Sequence, residues 1–83
     1  MPYVRRFYTT QDILNAITMC VEVIHEPDCT GEEFDKQSDH IYRLIEKLIY
    51  RSLGKIGNAR KVLAAQGLDC YLDIYIDLNA EIN

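Results

Sequence analysis

Apolar residues recur at intervals of three and four along most of this chain, which is the spacing of one face of an α-helix. The first such segment follows Thr9, and Asp12 three residues later completes the pattern of a helix N-terminal capping box. Its apolar face consists of residues at helical spacing: Ile13, Leu14, Ile17, Cys20, Val21 and Ile24. Pro27 is expected to end this helix, because the residue before a proline is disfavoured in the α conformation.

A second apolar stripe predicts one long helix from about Gly31 to Leu53, with no glycine or proline inside that range. Thr30 with Glu33 forms a second capping-box pattern, and the acidic residues near the start suit the positive end of a helix dipole. The stripe consists of Phe34, Ile41, Leu44, Ile45, Leu48, Ile49 and Leu53.

A short third helix is expected between two groups of glycines. Gly54 and Gly57 mark a loop before it, Asn58 is a suitable N-cap, and Gly67 is a suitable left-handed residue after its last turn. The apolar positions of this helix are Ala59, Val62, Leu63 and Ala65.

The last segment, residues 68–83, fits two patterns. Apolar residues alternate from Cys70 to Leu78, as they do in a β-strand. Acidic residues also recur every four positions, which on a helix would form one acidic row opposite an apolar side: Asp69, Asp73, Asp77 and Glu81. We favour the helix because it accounts for the whole segment, whereas a strand would explain only its middle and would lack an obvious partner.

These elements predict an all-α fold, a small bundle of three to four helices with one long central helix. The 83 residues are expected to form a single helical domain, with residues 1–8 as an N-terminal arm in which aromatic and basic residues alternate. A chain of this length buries a limited core, so tight helix packing or a second subunit is expected to contribute to its stability.

Charge is unevenly distributed along this acidic chain, whose formal net charge is -4. Four cations follow one another at intervals of four, and would form a basic ridge on the second helix: Arg43, Lys47, Arg51 and Lys55. An antiparallel last helix would form three opposite pairs, namely Arg51 with Asp73, Lys47 with Asp77, and Arg43 with Glu81. The same pairing can form between two copies of the chain, where it sets register and partner choice more than stability.

The alternative is that the basic ridge binds an anion. Six cations form the candidate set for the phosphates of a nucleic acid or a nucleotide: Arg43, Lys47, Arg51, Lys55, Arg60 and Lys61. The acidic total and the acidic last segment weigh against this function, because nucleic-acid-binding domains usually carry a basic balance.

The segment GNARKVLAAQGLD, residues 57–69, resembles the start of the helix-turn-helix of Fis-type DNA-binding proteins. Gly57, Asn58, Gly67, Leu68 and Asp69 match that pattern. The resemblance would imply DNA recognition by the following helix, yet that segment is CYLDIYIDL, with carboxylates where phosphates would be met. A helix–loop–helix used for packing is therefore favoured.

No motif predicts an enzyme, a cofactor or a metal site. Three cysteines are an odd number for a disulfide framework; Cys20 and Cys70 are expected in the core, and the carboxylates around Cys29 disfavour its thiolate. His25 and Asp28 beside Cys29 are too few ligands for zinc. Gly-rich phosphate loops, nucleophile elbows and paired-carboxylate signatures are lacking from the sequence.

Neither a secretory signal nor a membrane span is expected. The basic pair near the N-terminus has no apolar run behind it, and no segment approaches the roughly 18 apolar residues of a transmembrane helix. With unpaired cysteines, this predicts a cytoplasmic protein that does not act at a membrane.

Tyrosine content favours a protein interface, since the chain has six tyrosines and no tryptophan. The predicted function is a small cytosolic protein–protein interaction module that acts as a regulator, inhibitor or adaptor and self-associates as a homodimer or higher oligomer. The predicted partner-binding residues are Tyr50, Tyr71, Tyr75, Arg43, Lys47, Arg51, Asp73 and Asp77.

Overall fold

Four α-helices make up the computed structural model, which describes residues 9–82, with side chains described as far as residue 79. They are α1 (Thr10–Ile24), α2 (Gly31–Arg51), α3 (Ile56–Ala65) and α4 (Asp69–Ile82). The described residues contain no strand, so the predicted all-α bundle is confirmed and the last segment is a helix. The predicted N-terminal arm lies outside the described residues.

The starts of α1 and α2 follow from their threonine caps. The Thr9 hydroxyl accepts from the Asp12 backbone N–H, and the Asp12 carboxylate accepts from the Thr9 N–H, both at 3.1 Å. Thr30 caps α2 by accepting from the Glu33 N–H at 3.1 Å. The Glu33 carboxylate accepts from the Gln37 side chain at 2.8 Å. Both bonds of the predicted capping box therefore form at α1. At α2 the cap is the bond to the Thr30 hydroxyl, and the Glu33 carboxylate bonds to Gln37 instead.

The start of α3 differs from the prediction. Lys55 is its N-cap residue and forms no side-chain cap bond, so α3 begins at Ile56. Asn58, which was predicted as the N-cap, lies inside the helix, and that prediction was wrong. The Asn58 and Ala59 backbone N–H groups already bond to the Lys55 carbonyl at 3.1 and 3.3 Å, which satisfies them without a side-chain cap.

The core lies along α1 and α2 and is completed by α3 and by the start of α4. Each helix contributes apolar residues at the predicted spacing, and the largest fully buried side chains are Ile17, Ile41, Ile45, Leu48, Leu63 and Leu72. Helix α2, at 21 residues, is the longest helix and packs against each of the other three. Two residues of its predicted stripe differ, because Phe34 in the first turn is half-exposed and Leu53 lies beyond the helix end.

Helix α3 ends in a Schellman motif, in which a left-handed residue lets two backbone N–H groups bond back into the last turn. The Leu68 N–H donates to the Leu63 carbonyl at 2.9 Å, and the Gly67 N–H donates to the Ala64 carbonyl at 3.0 Å. Gly67 has a φ of 71°, as its predicted position after the helix requires. Glycine fits there because it has no Cβ to strain the left-handed conformation.

Helix α2 ends in the same motif, but a leucine occupies the left-handed position. The Gly54 N–H donates to the Ile49 carbonyl and the Leu53 N–H to the Tyr50 carbonyl, both at 3.0 Å. Leu53 has a φ of 58° and is the non-glycine residue with positive φ in the described chain. The helix ends at Arg51, two residues before the predicted end. The left-handed position of the motif therefore falls on Leu53 and not on the next residue, Gly54.

Candidate interaction surface

Three large apolar side chains are exposed in or beside the turn between α2 and α3. Tyr50 is 75% exposed, Leu53 is 85% exposed, and Ile56 at the start of α3 is also exposed. We call these three residues the α2–α3 tip. Leucine in a left-handed conformation costs about 1–2 kcal/mol, so the tip combines backbone strain with exposed apolar surface. Neither feature helps the isolated chain to fold.

The surroundings of the α2–α3 tip are basic. From residue 47 to residue 68 the chain has no aspartate or glutamate and five cations: Lys47, Arg51, Lys55, Arg60 and Lys61. Arg51, Lys55 and Lys61 are exposed and form no ion pair with a carboxylate of the described residues. The tip is therefore an apolar surface with a positive rim.

Helix α4 presents a surface of the opposite charge. Asp73 and Asp77 are exposed one turn apart, and beside them Ile74 and Leu78 are exposed at the same spacing. We call these four residues the acidic α4 face. Helix α4 contains no lysine or arginine, so this face is apolar with a negative rim.

An ion pair between Arg60 of α3 and Asp73 of α4 joins the basic and acidic regions. The Arg60 Nη1 lies 2.7 Å from the Asp73 Oδ1, with both side chains about half exposed. An exposed pair of this kind contributes about 0–1 kcal/mol. The predicted partner of Asp73 was Arg51, so this part of the predicted register was wrong: Asp73 points toward α3, not toward the basic ridge of α2.

The other predicted ridge residues lie on different sides of α2. Arg43 pairs with Asp39 on its own helix at 3.1 Å. Lys47 lines a groove of about 230 Å³ between α1 and α2, together with Asp12 and His40. Glu81, the predicted partner of Arg43, has a side chain outside the described residues. Arg43 lines a separate groove between α2 and α4, so these two ridge residues face different neighbouring helices.

Two of the three predicted interface tyrosines, Tyr71 and Tyr75, are partly buried against the core, and Tyr75 also bonds to α2. The Tyr75 hydroxyl donates to the Glu46 carboxylate at 3.1 Å, and Tyr75 lines a groove of about 260 Å³ with Tyr42 and Leu78. Burial and then the Glu46 carboxylate raise the pKa of Tyr75. Burial also raises the pKa of Tyr71, which packs against the core. Tyr71 and Tyr75 are only partly accessible to solvent, whereas Tyr50 is 75% exposed.

The three cysteines are free thiols, and the surroundings of Cys20 and Cys29 do not activate these two. Cys20 is buried 3.6 Å from the His40 Nδ1, and burial raises the pKa of its thiol. Partial burial and then the neighbouring carboxylates, Glu33 first, raise the pKa of Cys29. These thiols are therefore protonated at neutral pH and poor nucleophiles. Cys70 is exposed, so its predicted place in the core was wrong.

Of the large apolar side chains on the two surfaces, the sequence predicted Tyr50 as an interface residue and missed the others. Leu53 was assigned to the buried stripe because its spacing fits a continued helix. Its exposure follows from the end of α2 at Arg51, which places Leu53 in the turn with a left-handed backbone. Ile74 and Leu78 fall opposite Leu72 on a helical projection, so a helical interpretation of the last segment already contained the signal for them.

The comparisons with known proteins give no indication of function, so function is inferred from the two surfaces described above. No known protein family matches the chain, and no curated protein or solved structure is significantly similar to it. Among the described residues, no helix is both long and apolar enough to cross a bilayer. The same residues contain no cluster of three or more histidine, cysteine or carboxylate groups placed to hold a metal ion.

Proposed function

We propose that this protein is a small protein–protein interaction module that acts as a regulator, inhibitor or adaptor. The observation that carries the proposal is Leu53, a large apolar side chain that is 85% exposed on a left-handed backbone. Strained residues that the fold does not need cluster at functional sites. A partner that covers the α2–α3 tip would offset the cost of exposing it.

The composition of the tip suits the centre of a protein interface. Exposed tyrosine is enriched among the residues that contribute most to binding, and apolar neighbours exclude water from around it. Tyr50 and Leu53 supply these two parts, and the rim of Arg51, Lys55 and Lys61 supplies charge that selects the partner. This role does not require a catalytic group, and we propose that the protein is not an enzyme.

We also propose a cytoplasmic location. Its support is the state of the three cysteines, which are free thiols, two of them partly or fully accessible to solvent. A reducing compartment keeps such thiols unpaired.

Replacing Tyr50 with glutamine is expected to reduce capture of the partner from a lysate of the native host about tenfold or more, because a large central ring would be lost. The matched control is Met19→Gln, which changes a similarly exposed apolar residue on α1. Quantitative mass spectrometry of proteins retained by the tagged wild type and both variants makes the comparison. A protein retained equally by all three would not bind through the tip, and its capture would contradict the proposed surface.

The second candidate function is phosphate binding, favoured by the segment from residue 47 to residue 68 that lacks carboxylates. Labelled single- or double-stranded nucleic acid is expected to bind at low salt and to dissociate as salt rises, since each neutralised phosphate releases counterions. Fluorescence anisotropy across a salt series with wild type and with Arg51→Glu/Lys55→Glu measures this. Absence of binding at the lowest salt would eliminate this function.

A further inference from the structure

We propose that the α2–α3 tip of one copy docks on the acidic α4 face of a second copy of this chain. This inference rests on the proposed function and names a partner for its surface. The two surfaces are complementary in charge and in apolar content.

Charge complementarity is the first argument. The tip lies in a segment with five cations and no carboxylate, and α4 has four carboxylates and no cation. Within one chain, the described residues join these regions through the Arg60–Asp73 pair. Arg51 and Lys55 remain exposed on one surface and Asp77 on the other, so the opposite charges are available to a second copy.

Apolar complementarity is the second argument. Tyr50, Leu53 and Ile56 are exposed at the tip, and Ile74 and Leu78 are exposed on α4. These are five of the seven large apolar side chains that are exposed in the described chain. Arg51 and Lys55 lie beside the apolar residues of the tip, and Asp73 and Asp77 lie beside those of α4. Burying the apolar groups against each other places the opposite charges together at the rim, as in protein interfaces generally.

The arrangement also excludes self-pairing of either surface. Two α4 faces brought together would oppose Asp77 to Asp77, and two tips would oppose Arg51 and Lys55 to their own copies; like charges across an interface are unfavourable. Each contact must therefore join a tip to an α4 face. Two such contacts related by a two-fold axis make a closed dimer, and contacts that do not close make a longer assembly.

Charge-reversed variants test this arrangement. The tip variant is Arg51→Glu/Lys55→Glu, and the α4 variant is Asp73→Lys/Asp77→Lys; all four side chains are exposed. Analytical ultracentrifugation across a concentration series is expected to show reversible association of the wild type. Each variant alone is expected to associate at least tenfold more weakly, because its tip and its α4 face carry the same sign.

Mixing the two variants is the decisive measurement. In the mixture, every contact between unlike chains joins opposite signs, so association is expected to return to within about threefold of the wild type. The chain with all four substitutions is expected to self-associate as well. Glu22→Lys/Glu26→Lys, which makes the same charge change as the α4 variant on exposed positions of α1 and its turn, is expected to leave association unchanged.

Two results would overturn the inference. A wild type that stays monomeric at high micromolar concentration would show that the second copy is not the occupant. Variants that fail to restore association when mixed, while circular dichroism shows each to be folded, would show that the tip and the α4 face do not meet. In either case, tip-dependent capture of a host protein would leave the proposed function standing with a different partner.

Discussion

Replacing Ile45 with alanine is expected to lower the free energy of unfolding by about 2–5 kcal/mol. Ile45 is 0% exposed and lies in the core between the helices. Its truncation removes buried methyl groups and leaves a cavity that close-packed neighbours fill only in part. A domain of this size has a total stability of only about 4–12 kcal/mol, so much of it would be lost.

Thermal and urea unfolding followed by far-ultraviolet circular dichroism measures this loss. The matched control is Ile74→Ala, which makes the same chemical change on α4 at a side chain that is 43% exposed. Its expected cost is below about 1 kcal/mol, as is usual for surface substitutions. Equal losses for the two variants would mean that the core does not lie where the structure places it.

Replacing Leu53 with glycine is expected to raise the free energy of unfolding by about 1 kcal/mol and the melting temperature by about 4–8 °C. Glycine removes the Cβ that strains the left-handed position, and this gain exceeds the added entropy of the unfolded chain. Because the Leu53 side chain is 85% exposed, its removal costs few buried contacts. The same variant is expected to bind a partner more weakly through the α2–α3 tip, although the protein itself is more stable.

Calorimetric melting of Leu53→Gly beside Ser52→Gly gives the test. Ser52 is the neighbouring residue but has a φ of -87°, so glycine there relieves no strain. It adds unfolded-state entropy and removes the bond that the Ser52 hydroxyl donates to the Leu48 carbonyl at 3.0 Å. The first variant should melt above the wild type and the second below it. If Leu53→Gly melted at a lower temperature, the side chain would contribute to folding, and the argument that it serves a partner would fail.

Local signals predicted most of the fold because their physical causes act over a few residues. The Thr9–Asp12 spacing predicted the start of α1, and the glycine at position 67 predicted the end of α3. Asn58 failed as an N-cap because the chain turns into α3 three residues earlier, around Lys55. Helix starts without a side-chain cap leave no local pattern to recognise.

The ion-pair partners of the acidic row could not be predicted from residue spacing, because they depend on how α4 is rotated about its own axis. The interval of four correctly indicated an acidic row, but the partner of that row is set by packing of Leu72 and Tyr75 into the rest of the bundle. That packing places Asp73 beside Arg60 of α3 and not beside Arg51 of α2. Spacing therefore predicted which residues share a side, and tertiary packing decided what they face.

The buried thiol of Cys20 can report how often the helix bundle opens. Cys70 is exposed, so a thiol reagent reaches it at once, whereas Cys20 lies in the core where α1 packs on α2. Its rate of labelling reports how often those two helices separate, without any added probe. Substitutions that alter the bundle can thus be ranked by the labelling rate of Cys20, with exposed Cys70 as the internal standard.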